Sequence, residues 1–148
     1  MSRAVLLDTC VVSELVRPRP DPTVLAWFEA QREEDLFLSV LTAGEIERGA
    51  TRLPHGPARD RVEDWLGELL DRYGDRLLDL DVDTALRWGD LSARAAARGR
   101  TVPVIDGLLA ATALRRGLSL ATRKLADFAD LDLELVNPWT HEGRGAAR

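Results

Sequence analysis

AVLLD, residues 4–8, is four apolar residues in a row closed by one carboxylate. The run is too continuous for a half-exposed strand, so it reads as a strand buried on both faces, as in a parallel sheet. Similar runs recur along the chain. FLSV (37–40) leads into a helical segment carrying Glu45, VPVI (102–105) into Asp106, and LSLA (118–121) into the TRKLAD segment and Asp127. Ligand sites in open α/β sheets lie outside the carboxyl ends of the strands, where the strand order reverses. Asp8, Glu45, Asp106 and Asp127 are therefore candidates for one site. Carboxylates without histidine or cysteine partners suit a hard divalent cation, Mg²⁺ or Mn²⁺. Such a site points to phosphodiester chemistry.

Between these runs the periodicity turns helical. A first helix follows Asp8 to residue 15 or 16, and Pro18 and Pro20 end it. Asp21-Pro22 starts a second, with aspartate as N-cap and proline at the first helical position. Residues 36–40 form the second strand and residues 42–53 a third helix, broken by PHGP at 54–57. Val62, Trp65, Leu66, Leu69 and Tyr73 stand at helical spacing and mark a long amphipathic helix. A short strand is expected at 77–80, then a helix through Ala85, Trp88, Leu91 and Ala95 closed by Gly99. GLLAATAL (107–114) is a closely packing helix closed by Gly117, and residues 118–121 and 133–136 are the last strands. Strands alternating with helices predict a single α/β domain, a three-layer α/β/α sandwich around a central parallel sheet. The stretch 42–98 holds one weak strand only, which predicts a projecting helical pair. The domain is expected to span residues 1–140, with 141–148 a disordered tail.

A chain of 148 residues suffices for one domain with its own core. Its apolar runs are far too short for a membrane span, and the beginning lacks a signal-peptide pattern. The single cysteine, Cys10, fits a cytoplasmic protein. The net charge of −5 argues mildly against a stable nucleic-acid binder. That objection weakens if the acids surround cations. Nineteen of the 20 basic residues are arginine, and Lys124 is the only lysine.

Taken singly, each acid has a plain structural reading. Asp8 and Asp106 fit helix N-caps, and Asp127 fits a turn cap or an arginine partner. Glu45 completes Thr42-Ala43-Gly44-Glu45, a capping box in which it reaches back to the Thr42 amide. Together, four carboxylates converging from distant segments would repel one another without a cation. Thr9 and Thr122 are placed to support them by hydrogen bonds. Arg123 and Lys124 are placed to hold a phosphate or pair with Asp127. His55 and His141 lie in a turn and in the tail, and neither suits catalysis.

LLDTCVVSEL, SVLTAGEIERGA, PVIDGLLAATAL, LATRKLADF and VNPW resemble, in this order, the PIN-domain ribonucleases, and more narrowly the VapC-type toxins of type II toxin–antitoxin systems. The resemblance runs from about Leu6 to Trp139. It implies an α/β/α sandwich with Mg²⁺-dependent endoribonuclease activity, with Mn²⁺ as a substitute. It also implies a cognate VapB-like antitoxin whose C-terminal segment blocks the active site. Carried over by position, Asp8, Glu45, Asp106 and Asp127 match the catalytic acids. The family commonly has asparagine where this chain has Cys10 and Lys124, so two supporting amides are replaced.

These readings give one leading function: a toxin that cleaves RNA, with Asp8 and Asp106 holding the main metal. Glu45 and Asp127 complete the shell or bind a second ion, and one carboxylate takes the proton of the attacking water. The alternative is a catalytically impaired PIN-like module acting through its antitoxin, which the Cys10 and Lys124 replacements motivate. A phosphoacceptor receiver domain is disfavoured, because that chemistry needs two adjacent acids after the first strand. A homodimer or a larger complex with the antitoxin is expected. The antitoxin would place an arginine or aromatic residue in the acidic pocket, with Trp27, Phe28 and the Trp65 helix as a candidate contact surface.

Overall fold

A computed structural model describes residues 4–144. The chain starts with β1 (Val5–Leu7), runs into α1 (Thr9–Leu15) and α2 (Pro22–Glu29), and returns as β2 (Leu36–Ser39). Helices α3 (Val40–Arg52) and α4 (Pro57–Tyr73) follow, then the two-residue β3 (Leu77–Leu78). Helices α5 (Val82–Ala97) and α6 (Val104–Arg116) lead to β4 (Ser119–Ala121), the single-turn α7 (Leu125–Phe128), β5 (Leu135–Asn137) and β6 (Glu142–Arg144). The sheet order is β3-β2-β1-β4-β5-β6. The first five strands are parallel and β6 is antiparallel. This is the predicted α/β/α sandwich.

Alternation along β1 divides the core between the two faces of the sheet. Leu6 joins Leu109, Leu120 and Phe128 beneath α5, α6 and α7. Val5 and Leu7 join Val11, Trp27, Ile46, Leu66 and Tyr73 beneath α1 to α4. The expected helical pair is α3 and α4, broken at the predicted prolines. Its apolar stripe (Ile46, Ala50, Leu66 and Tyr73) is buried. Trp27 is buried as well, and Phe28 and Trp65 are partly buried against the same cluster. The partner surface expected there is thus largely interior. The larger exposed apolar groups lie elsewhere, led by Val82 at 74% and Leu86 at 67% exposure on α5.

Two local details depart from the expected ones. The stretch read as a tail begins with a turn, His141 taking a φ of 55°, and then adds β6 to the edge of β5. The open backbone groups of an edge strand are a template for such pairing whatever the side chains. Residues 145–148 lie outside the described residues. Helix α3 starts at Val40, directly from β2, because the Ser39 hydroxyl caps the Leu41 N–H at 3.0 Å. Thr42 and Glu45 are therefore inside the helix and do not form a capping box.

The topology decides where chemistry can gather. The chain moves outward from β1 to β2 and β3, then crosses back to β4 on the other side of β1. The switch point is thus between β1 and β4, where a crevice opens at the carboxyl ends. Asp8 follows β1, Thr122 follows β4, and α3 starts where β2 ends. Helix α6 precedes β4, so its first turn, with Asp106, also lies at the carboxyl edge. Among the described residues, no helix is long and apolar enough to cross a membrane.

Candidate active site

Asp8 performs its structural and its site role with different oxygens. Oδ1 caps α1 by accepting the Thr9 N–H at 2.8 Å. Oδ2 accepts the Thr122 hydroxyl at 2.7 Å and the Cys10 thiol at 3.6 Å. The Asp8 N–H is held by the Ala121 carbonyl at 2.9 Å, which ties the end of β1 to the end of β4. The residue is only 3% exposed. A buried carboxylate fixed on both oxygens has little freedom to turn away.

Asp106, 6% exposed, lies in the first turn of α6 and not at its cap. Its partner is Lys124, whose Nζ donates to Oδ1 at 2.9 Å and lies 3.9 Å from Asp8 Oδ2. One ammonium thus bridges two buried carboxylates. Burial by itself pushes the Lys124 pKa down, but the Asp106 hydrogen bond and the charges of Asp8 and Asp106 outweigh it, and the net shift is upward. Lys124 is rooted by the same threonine that supports Asp8, because its N–H donates to Thr122 Oγ1 at 3.0 Å. The exchange of an amide for Lys124 therefore places a charge at the centre of the site.

Glu45 enters through Thr9. The Thr9 hydroxyl donates to Glu45 Oε1 at 2.6 Å, and Thr9 Oγ1 lies 3.1 Å from the buried Thr42 Oγ1. Thr9 thereby links two acids, its N–H on Asp8 and its hydroxyl on Glu45. Asp127 stands apart, exposed on α7 without a hydrogen bond or ion pair to the other three acids. Arg123 does not pair with Asp127 either; its guanidinium stacks on the Trp139 ring at 4.9 Å. Two of the acids that follow β3 have structural uses: Asp81 caps α5 through the Thr84 N–H, and Asp83 faces Arg115.

Cys10 partly replaces the amide expected in its place, since its S–H donates to Asp8. Burial, with the Asp8 charge adding to it, pushes its pKa up to about 11. At pH 8 only about a thousandth of it is thiolate, against roughly a quarter for an ordinary cysteine. Alkylation by iodoacetamide at pH 8 is therefore expected to be about a hundred-fold slower in the folded protein than in guanidinium. Equal rates would show that the thiol is neither buried nor bound to Asp8.

The donor set fits a hard divalent cation in one respect and lacks a third acid in another. Asp8 and Asp106 already aim oxygen at one positive centre, and Mg²⁺ is commonly held by one or two carboxylates with several waters. Among the described residues, no group of three or more acidic, histidine or cysteine side chains gathers around one point. An ion held here would complete its shell largely with water.

The chain is similar to known proteins along most of its length. The PIN domain profile matches residues 5–132. The chain is 39% identical over 136 residues to the VapC ribonuclease Y4jK of Sinorhizobium fredii, covering 91% of this chain and 97% of that protein. It is 33% identical to the toxin FitB of Neisseria gonorrhoeae, covering 91% and 98%. The crystal structure of FitAcB from Neisseria gonorrhoeae superposes with a TM-score of 0.86 at 33% identity, covering 91% of this chain and 98% of that one.

Proposed function

The chain belongs to the PIN-domain family, in its VapC-type branch, and from that premise we propose that it is a toxin that cleaves RNA by metal-dependent phosphodiester hydrolysis. The observation that carries this reading is the pair of buried carboxylates, Asp8 and Asp106, aimed at one cation position at the switch point of the sheet. Its relatives include a protein named a ribonuclease and one named a toxin.

Asp8 and Asp106 would hold the divalent cation, Mg²⁺ or Mn²⁺. When bound, such an ion supplies positive charge at the phosphate and makes water a stronger acid. The residues of the chain do the positioning. Thr122 and Thr9 fix the two Asp8 oxygens, so the carboxylate is in place before substrate arrives. Glu45 has one oxygen engaged by Thr9, and the other takes the proton of the attacking water. Arg123, held over Trp139 beside the crevice, offers a guanidinium to the RNA backbone. Single-stranded loops are the natural substrate class, since unstacked bases are open to readout.

A toxin needs a partner that keeps it silent, and we infer a VapB-like antitoxin that covers the acidic crevice, in a homodimeric or larger complex. EDTA is expected to abolish cleavage of a structured RNA by the antitoxin-free chain, and Mg²⁺ or Mn²⁺ to restore it. Cleavage that survives EDTA would sink the reading.

One observation favours a second reading, a PIN module impaired in turnover that acts through its partner. The Lys124 ammonium sits where the metal charge would be, hydrogen-bonded to Asp106. If it stays there, no ion enters.

A further inference from the structure

We propose that Lys124 is a resident counter-cation of the acidic site, and that a divalent ion occupies the Asp8–Asp106 pair only by displacing its ammonium. The proposal rests on the metal-dependent reading above and concerns how that same site is gated.

Two buried carboxylates facing one point need positive charge, or they repel. The chain supplies it from within. Lys124 Nζ is 2.9 Å from Asp106 Oδ1 and 3.9 Å from Asp8 Oδ2. A dication held by those two oxygens would compete with the ammonium for the same carboxylate charge, and two cations side by side there would repel. Opposite charge drives the competition, and it acts at short range on carboxylates that are themselves buried.

The side chain is built to leave while its root stays. The Lys124 N–H is anchored on Thr122 Oγ1 at 3.0 Å, so the backbone at the end of β4 is fixed. The side chain above it is 42% exposed, unlike Asp8 at 4% and Asp106 at 8%. Four flexible methylenes give the ammonium a path to solvent, or to an incoming phosphate, without movement of the acids. The Phe128 ring, 5.9 Å from Nζ, is the other neighbour that it would leave.

The consequence is a site whose negative charge is already half offset without metal, and which is correspondingly weak for it. Mn²⁺ titrated calorimetrically into the chelator-treated full chain should bind Lys124→Met and Lys124→Gln about 10- to 100-fold more tightly than wild type, the range over which groups around metal ligands shift affinity. Lys124→Arg, which keeps the charge, should not gain. Equal affinity in all four proteins would overturn the proposal and leave the metal-dependent reading standing. Absence of Mn²⁺ binding in every protein, at tens of millimolar, would overturn both.

A measurement on the unaltered protein covers the case in which the variants fail to fold. Lys124 is the only lysine, so its acetylation by a succinimidyl ester can be followed by peptide mass. Saturating Mg²⁺ should speed that acetylation several-fold relative to EDTA, because the released ammonium moves into solvent. An unchanged or slower rate would show that the ion enters without displacing it.

Discussion

Asp8→Asn is expected to lower RNA cleavage by at least about a thousand-fold while leaving the chain folded. The substitution is informative because the two Asp8 oxygens have separable uses. Asparagine caps helices about as well as aspartate, so its carbonyl can keep the Thr9 N–H that begins α1. Its amide then faces Thr122 Oγ1, which has a lone pair to accept it. The variant loses the charge and the acceptor that Oδ2 offers the Thr122 hydroxyl and the Cys10 thiol, a cost that the relieved carboxylate repulsion offsets. Metal and electrostatic stabilisation of a phosphoryl transition state is worth several kcal/mol, and each 1.4 kcal/mol is tenfold in rate. Without metal, the site changes from two negative charges against Lys124 to one, so thermal stability in EDTA should hold or rise. Cleavage assays and circular-dichroism melts on the same preparation check both statements. Retention of more than about a tenth of the activity would remove Asp8 from the site. Asp127→Asn in the same assay should retain most activity, because Asp127 is exposed and unconnected to the other acids.

The sheet was legible because its central strands are apolar runs with no competing pattern. VLL, LFLS and SLA could hardly be anything but buried strands, and alternating helices force them to be parallel. β6 was not legible: Glu-Gly-Arg has no strand propensity, and the pairing comes from the backbone edge of β5. Glu45 had a plain structural alternative, a capping box with Thr42, and the fold removes it: a strand running straight into a helix moves the cap to Ser39 and leaves Glu45 for Thr9. Lys124 was legible as a cation beside the acids, placed to hold a phosphate or pair with Asp127, but not as the partner of Asp106. Its distance from Asp106 depends on how α6 lies over β4, a tertiary fact.

Gly107→Val should cost about 1–3 kcal/mol and also depress cleavage about a hundred-fold, although Gly107 has no side chain to contribute to the site. A Cβ at Gly107 would lie 2.9 Å from Trp88 Cδ1 and 3.0 Å from Nε1, closer than real Cβ atoms approach. Helix α6 therefore meets the α5 tryptophan through a bare backbone. Alanine is a poor test, because replacing glycine in a helix returns up to about 1 kcal/mol of propensity, which offsets part of the clash. Valine adds two methyl groups in the same direction, has lower helix propensity than alanine, and lets the clash win. Something must then move. The Trp88 ring packs against the core cluster beneath α5 and α6, and its buried Nε1 has no hydrogen-bond partner among the described residues. The first turn of α6 is an end of the helix, held by the Gly107 N–H on the Pro103 carbonyl and by Lys124 on Asp106. Helix α6 yields, and Asp106, one residue before the clash, moves with it. A displacement near 1 Å at a reacting group can cost a hundred-fold. The melting temperature should fall by roughly 4–8 °C for a loss near 2 kcal/mol in a domain of this size. The double variant Trp88→Leu with Gly107→Val separates sterics from other causes. Relieving the ring should make the pair less destabilised than the sum of the two single changes, by more than the roughly 0.5 kcal/mol within which independent sites add. Strict additivity, or a Gly107→Val protein with wild-type melting and cleavage, would mean that the α5–α6 contact does not position Asp106.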